Sequence, residues 1–399
     1  MSQSASSPGA SSDQGASLLQ LAPMVAIVFF GFLAIGMPLP VLPRQVHEAL
    51  GFGPVVVGWV VGLQSLVTVL TRPLGGMVVD ARGPKIGALL GLPCAIAAGA
   101  AYLGSSFLSA PAASLGVLLV GRVLLGFAES LFLTGTMTWG MSRVGMKNAG
   151  RVMAWQGIAM YAALGFGAPI GLAIQQAAGF RTVAAVVIGL PAVGLLIALA
   201  TPAAPRSSRP PQGGSMVKVL SAVWPQGLAL ALGTAPYAAM AAFLALHFAA
   251  RHWGGAGLAL LAFASGYIGV RVFFGHLPDR MGGSQVAVAS LLVEAVGQVV
   301  LWSAPSQAVA ILGCLVSGLG FSLVFPSFGV QAVRKTSPEV RGLAVSAFMA
   351  FFDVALGLTG PAVGLVAGRF GYGAVFLVGA VSAALAALVG LVGSGRKAA

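Results

Sequence analysis

Gly76-Met77-Val78-Val79-Asp80-Ala81-Arg82-Gly83-Pro84-Lys85 is a short polar break between two long apolar runs, and the chain repeats it as Gly275-His276-Leu277-Pro278-Asp279-Arg280-Met281-Gly282. A shift of 199 residues places Gly58 on Gly257, Arg72 on Arg271, Gly76 on Gly275, Asp80 on Asp279 and Gly83 on Gly282 without a gap. A shift of 192 matches Gly150 with Gly342, Gly165 with Gly357, and Ala168-Pro169 with Gly360-Pro361. The sequence therefore reads as two copies of one unit in the same orientation, a build common among membrane transporters.

The surroundings of these breaks identify the solvent. Of 399 residues, 58% are hydrophobic and only 7% are charged, whereas a soluble domain carries about 25% charged residues to wet its surface. A spanning helix needs roughly 20 mostly apolar residues. On that measure the chain predicts an all-α membrane protein with twelve spans, near 21–43, 54–77, 86–108, 113–138, 152–175, 181–200, 219–247, 258–278, 284–304, 308–331, 343–367 and 374–393. Residues 201–218, rich in Pro, Ser and Gly, form a cytosolic linker between two six-helix halves, 21–200 and 219–395. Residues 1–20 lack Lys and Arg, so they are expected to be a disordered cytosolic tail rather than a signal peptide.

The net charge of +13 does not form a stripe or a tail suited to nucleic acid. With the N-terminus inside, fourteen Lys and Arg fall in cytosolic loops, four fall outside, and three (Arg72, Arg122 and Arg271) lie in or beside spans. By the positive-inside rule both termini are cytosolic, in a bacterial inner membrane. Cys94 and Cys314 sit singly in apolar runs, and the four histidines are scattered. No cofactor, metal or catalytic constellation is expected, which sets aside an intramembrane enzyme. A channel or a non-transporting sensor is a further alternative, separable by saturable counterflow in liposomes.

The first break resembles the signature loop of the major facilitator superfamily, Gly-x-x-x-Asp-Arg-x-Gly-Arg-Lys, with Ala81 and Pro84 replacing the two arginines. Its echo keeps the Asp279-Arg280 pair. The resemblance implies a cytosolic gate made of Gly76, Asp80, Gly83, Lys85, Arg151, Gly275, Asp279, Arg280 and Arg341. Asp80 would face the start of span eleven near Arg341 and Gly342; Asp279 would face Gly150 and Arg151. A helix N-terminus there favours an anion, and glycines permit close packing.

Gly121-Arg122-Val123-Leu124-Leu125-Gly126 resembles the Arg-x-x-x-Gly motif of the family's fourth helix, linked in proton-coupled exporters to proton movement. Gly165, Gly167, Ala168-Pro169 and Gly171 resemble the exporters' glycine–proline motif in degraded form, and Gly360-Pro361-x-x-Gly364 is a cleaner copy. Both are expected to bend their helices. Segments at 38–47, 71–73, 320–326 and 356–361 look like the YhhS-like branch, often labelled arabinose-efflux permeases.

Carboxylates inside spans are costly and commonly lie on ion paths. Glu129, two turns beyond Arg122, and Asp353, which aligns with Tyr161, are read as proton-coupling groups tuned by Arg122. Glu294, in a peripheral span, is expected to hydrogen-bond Gln298. Pro38 and Pro40, Gln64, Gln156, Tyr161, Tyr237, Ser317 and Phe325 are the expected substrate cavity, suited to a neutral, sugar-like or amphipathic solute. The expected function is proton-driven export of a small organic solute by a monomer surrounded by lipid, with protons and that solute as partners. Uptake by proton symport is the runner-up.

Overall fold

The computed structural model describes residues 9–145, 148–204, 216–334 and 341–395, and the described residues are helical apart from short turns. Lys147, Arg206, Arg209 and Lys335 fall outside them, as do the side chains of Asp279 and Arg341. Helix α1 (Gly9–Gly36) is followed by a turn, a short α2 (Val41–Arg44) and a π-turn at Gln45–Ala49. Next come α3 (Pro54–Arg82), α4 (Pro84–Ser105), α5 (Pro111–Val144) and α6 (Ala149–Ala200). The second half has α7 (Met216–Ala250), α8 (Ala256–Phe274), α9 (Leu277–Met281), α10 (Gly283–Trp302), α11 (Gln307–Phe321), α12 (Val324–Arg334), α13 (Arg341–Phe370) and α14 (Ala374–Gly395).

Eleven of these stretches are long and apolar enough to cross a bilayer. The one at Arg151–Ala200 is 50 residues long. At 1.5 Å per residue it would measure about 75 Å, over twice the hydrocarbon thickness. It breaks at Gly179, whose φ of 78° and ψ of 175° lie outside the helical range. Two spans therefore meet there, and the chain crosses twelve times, as expected.

The boundaries differ from expectation at several points. Helix α1 starts at Gly9, inside the stretch read as a tail, and its apolar membrane stretch starts at Leu19. The tenth span is divided between α11 and α12 by Ser322 and Leu323.

Within the first half α1 packs on α6 and α4 on α5; within the second, α10 packs on α11 and α14. The halves meet through α3 against α13 and α6 against α8. Here the duplicated motifs interlock. A Cβ on Gly58 would run into Gly360 and Pro361, and one on Gly257 would meet Pro169 Cα at 2.5 Å. Each half docks the glycine found by the 199 shift on the proline found by the 192 shift.

Other glycines add to these two contacts. Gly364 meets Pro54, Gly62 meets Gly357 and Gly165 meets Ala264. The glycine contacts between the halves thus gather towards the end that holds the 50–53 and 251–255 loops, the closed end.

Candidate functional site

The polar centre of the interface is built from α3, α5 and α13. Arg72, in the sixth turn of α3, donates Nε to Asp353 Oδ2 at 2.8 Å, and its Nη2 lies 2.7 Å from the same oxygen. Asp353 is 2% exposed and belongs to the other half. Glu129 projects from α5 towards α3, where Gln64 Nε2 donates to Oε2 at 2.9 Å and Thr68 Oγ1 lies 3.3 Å from it. Arg72 also lies within electrostatic reach of Glu129, so one guanidinium serves a carboxylate from each half.

Arg122 bonds to backbone and not to a carboxylate, although its charge also acts on Glu129. It is 1% exposed and spends its guanidinium on backbone carbonyls of α3, Nε on Val60 at 2.7 Å and Nη2 on Val61 at 2.7 Å. Nη1 reaches Tyr102 Oη at 3.4 Å. The two ion pairs among the described residues are Arg44–Glu48 and Arg72–Asp353. Arg122 thus clamps α5 to α3, and Arg72 is the arginine that pairs with a buried acid.

The pseudo-symmetric position is filled by aromatic chemistry. Arg271, the repeat of Arg72, donates to Tyr267 Oη at 3.0 Å. Tyr267 stacks on Tyr161, the repeat of Asp353, with centroids 3.7 Å apart and planes at 25°. Tyr237 and Phe321 lie 5.9 Å apart at 13°, and Tyr237 and Phe263 5.1 Å apart at 23°. Tyr161 is edge-on to both Tyr237 and Phe321. Five rings from α6, α7, α8 and α11 thereby join the halves beside the charged cluster.

The expected cavity residues separate into three groups. Gln64, Tyr161 and Tyr237 belong to this centre. Gln156, 2% exposed, has both amide atoms unpartnered five residues before Tyr161 on α6. Pro38, Ser317 and Phe325 lie elsewhere. Pro38 is buried in the turn after α1, its carbonyl accepting from Val41 and Leu42 at the closed end. Ser317 is fully buried against Gly297 and accepts from Gln298 Nε2 at 2.8 Å, inside the second half. Phe325 packs on Phe348 and Phe352 of α13. The missed members are Arg72, Arg271, Tyr267, Phe263 and Phe321. Arg72 and Arg271 were legible as the arginines that the repeat places inside spans.

The gate and bending motifs also change meaning. Asp80 is exposed, and its expected partner Arg341 lies outside the described side chains, as does Asp279. Arg280 is exposed. Lys85 binds the carbonyls of Leu199 at 3.1 Å and Thr201 at 2.8 Å, capping α6 of its own half rather than bridging to the other. Gly83 and its repeat Gly282, with φ of 96° and 93°, form the turn that only glycine adopts readily. Close approach falls on Gly75, against Ser130, and not on Gly76. Gly275 is hemmed in by Arg271 of its own segment rather than by another helix. Helix α6 keeps helical geometry through Pro169, and α13 runs on through Pro361. Gly165, Gly360 and Gly364 serve contact between the halves, and Gly171 serves contact with Met37 in the turn after α1.

The profile of the Major Facilitator Superfamily matches residues 24–255 and 227–397. The chain belongs to that superfamily. It is 44% identical over 374 residues to an uncharacterized MFS-type transporter of Burkholderia mallei, with 92% of this chain and 90% of the relative covered. An uncharacterized MFS-type transporter of Salmonella typhimurium is 40% identical over 365 residues, covering 91% and 94%. The fold is similar to that of the nucleoside transporter NupG, with a TM-score of 0.70 at 15% identity over 95% of this chain and 100% of the other. It is also similar to that of the human organic anion transporter MFSD10, with a TM-score of 0.71 at 16% identity over 94% and 99%. The transporter therefore moves a small solute across a membrane and is not an enzyme.

Proposed function

We propose that this transporter exports a small organic solute from the bacterial cytosol in exchange for protons, by alternating access in the inner membrane. The observation that carries the reading is the shared guanidinium. Arg72 of the first half binds Asp353 of the second while Glu129 waits within its reach. Protonating Asp353 removes the charge that holds Arg72, and Arg72 is then free to turn to Glu129 of its own half. The ion pair across the interface dissolves, and the halves can rock about the closed end. Returning the proton restores the lock, so one proton cycle accompanies one change of access.

The solute meets the five-ring cluster and the unpartnered amide of Gln156 in this reading. Flat apolar faces with a few hydrogen-bonding groups suit a neutral or amphipathic molecule better than a dianion. Both termini are cytosolic, and one chain is sufficient because the interface between halves is internal.

Proteoliposomes with an imposed pH gradient test the assignment. Glu129→Gln or Asp353→Asn is expected to abolish gradient-driven accumulation while retaining exchange without a gradient. Accumulation against the gradient by both single variants and the double variant overturns it. Deletion in intact cells separates the directions of flux: export predicts more retained solute, and uptake by symport predicts less.

A further inference from the structure

A second acidic group lies away from this centre. Glu294 on α10 is 0% exposed, and neither carboxyl oxygen has a partner. The hydrogen bond to Gln298 expected from the one-turn spacing is not formed. Gln298, also 0% exposed, gives Nε2 to Ser317 Oγ at 2.8 Å and Met240 Sδ at 3.1 Å, and its Oε1 is unpartnered. That oxygen lies against α14, 2.7 Å from where a side chain at Gly379 would begin.

All three unpartnered atoms accept hydrogen bonds, and one of the two groups carries a charge when ionised. Burying such a set without a donor or a cation is strongly unfavourable. The surrounding helices do not supply one. Among the described side chains of α7, α11, α12 and α14, the titratable groups are Tyr237, which is stacked in the ring cluster, His247 and Cys314. His247 is seven residues beyond Met240, about 10 Å along α7. Cys314 is a neutral thiol on α11. On α9, Arg280 is exposed at the helix end, and Glu294 is eleven residues into α10, about 17 Å from its start.

We infer that Glu294 and Gln298 form a site for one monovalent cation, a proton or a sodium ion, inside the second half. A proton would sit on a Glu294 oxygen and be donated towards Gln298. A sodium ion would take the three oxygens as ligands, as hard cations prefer. Occupancy reaches the interface along a short route. Gly320 sits directly on the Glu294 backbone, and the next residue is Phe321 of the ring cluster. Gln298 holds Met240, one turn after Tyr237. Drawing α10 towards α7 and α11 would move two of the five rings.

The test uses the intact transporter in nanodiscs. Thermal unfolding is compared in sodium and in choline at equal ionic strength and fixed pH, and infrared spectra are recorded for the wild type and Glu294→Gln. A sodium-dependent rise in Tm that is lost in Glu294→Gln identifies sodium. A Tm indifferent to sodium, with a protonated-carboxyl C=O band lost in Glu294→Gln, identifies a proton. If neither the sodium response nor that band differs between the two proteins, the site does not exist. Should Glu294→Gln fail to fold, Gln298→Leu keeps the carboxyl and removes the third oxygen. A smaller sodium response or a shifted carboxyl band is then expected, and no change in either overturns the proposal.

Discussion

Arg72 and Arg122 lie in adjacent helices and both enter the protein interior, yet their partners divide their work. Arg122 meets two fixed backbone carbonyls, so it acts as a clamp whatever the protonation state of the acids. Arg72 meets a carboxylate that can lose its charge. Removing one partner of a buried ion pair leaves the other charge uncompensated, at a cost of about 3 kcal/mol or more, whereas removing both costs much less. Arg72→Ala and Asp353→Ala are each expected to lower thermal stability more than the double variant does. The single and double melting curves form the required cycle, and simple additivity would deny the pair a direct interaction. Arg122→Lys should destabilise at every pH, since an ammonium cannot fork onto two carbonyls as a guanidinium does.

At the level of helices, the closed end depends on backbone contact and one hydrogen-bonded pair. Gly58 and Gly257 press on the prolines of the opposite half with no room for a Cβ. Gly257→Val should prop α8 away from α6, and spin labels on the outer ends of these helices should report a longer distance. Unchanged distances would remove the glycine–proline contact from the closure. His47, just after α2, accepts from Tyr372 Oη at Nε2 (2.9 Å) while Nδ1 donates to the Phe52 carbonyl at 2.8 Å. This arrangement links the first half to the turn between α13 and α14. Burial and the nearby Glu48 carboxylate push the Tyr372 pKa up, which keeps its hydroxyl protonated and able to donate. A neutral hydrogen bond contributes about 0.5–1.5 kcal/mol. Tyr372→Phe should therefore shift the balance of closed and open forms about 2- to 12-fold, read from the same labels. An unshifted distribution would make the bond incidental.

For the whole molecule, orientation is the property that an isolated structure leaves to the charge pattern. If the fourteen-to-four bias sets topology, His252→Cys in a background lacking Cys94 and Cys314 should react with an impermeant maleimide on intact cells. Arg206→Cys should react only after the cells are opened. Labelling of Arg206→Cys in intact cells would reverse the orientation, and with it the side that the closed end faces.

The sequence determined the solvent, the number of crossings and the duplication, because these are properties of local hydropathy and of spacing along one chain. It also singled out Glu129, Asp353, Tyr161 and Tyr237, since polar or ring-bearing residues inside a span are conspicuous. Tertiary structure decided which groups touch. Arg72 and Asp353 are 281 positions apart, and periodicity along either helix cannot reveal a partner on the other half. For the same reason Ser317 and Glu294 could not be assigned a face: each helix here is apolar nearly all round, so its pattern does not distinguish lipid, bundle interior and interface. Glycine and proline were legible as special positions, but whether they bend a helix or admit a neighbour depends on what lies opposite. Opposite Gly58 lies Pro361, and that contact exists only once the two copies have folded against each other.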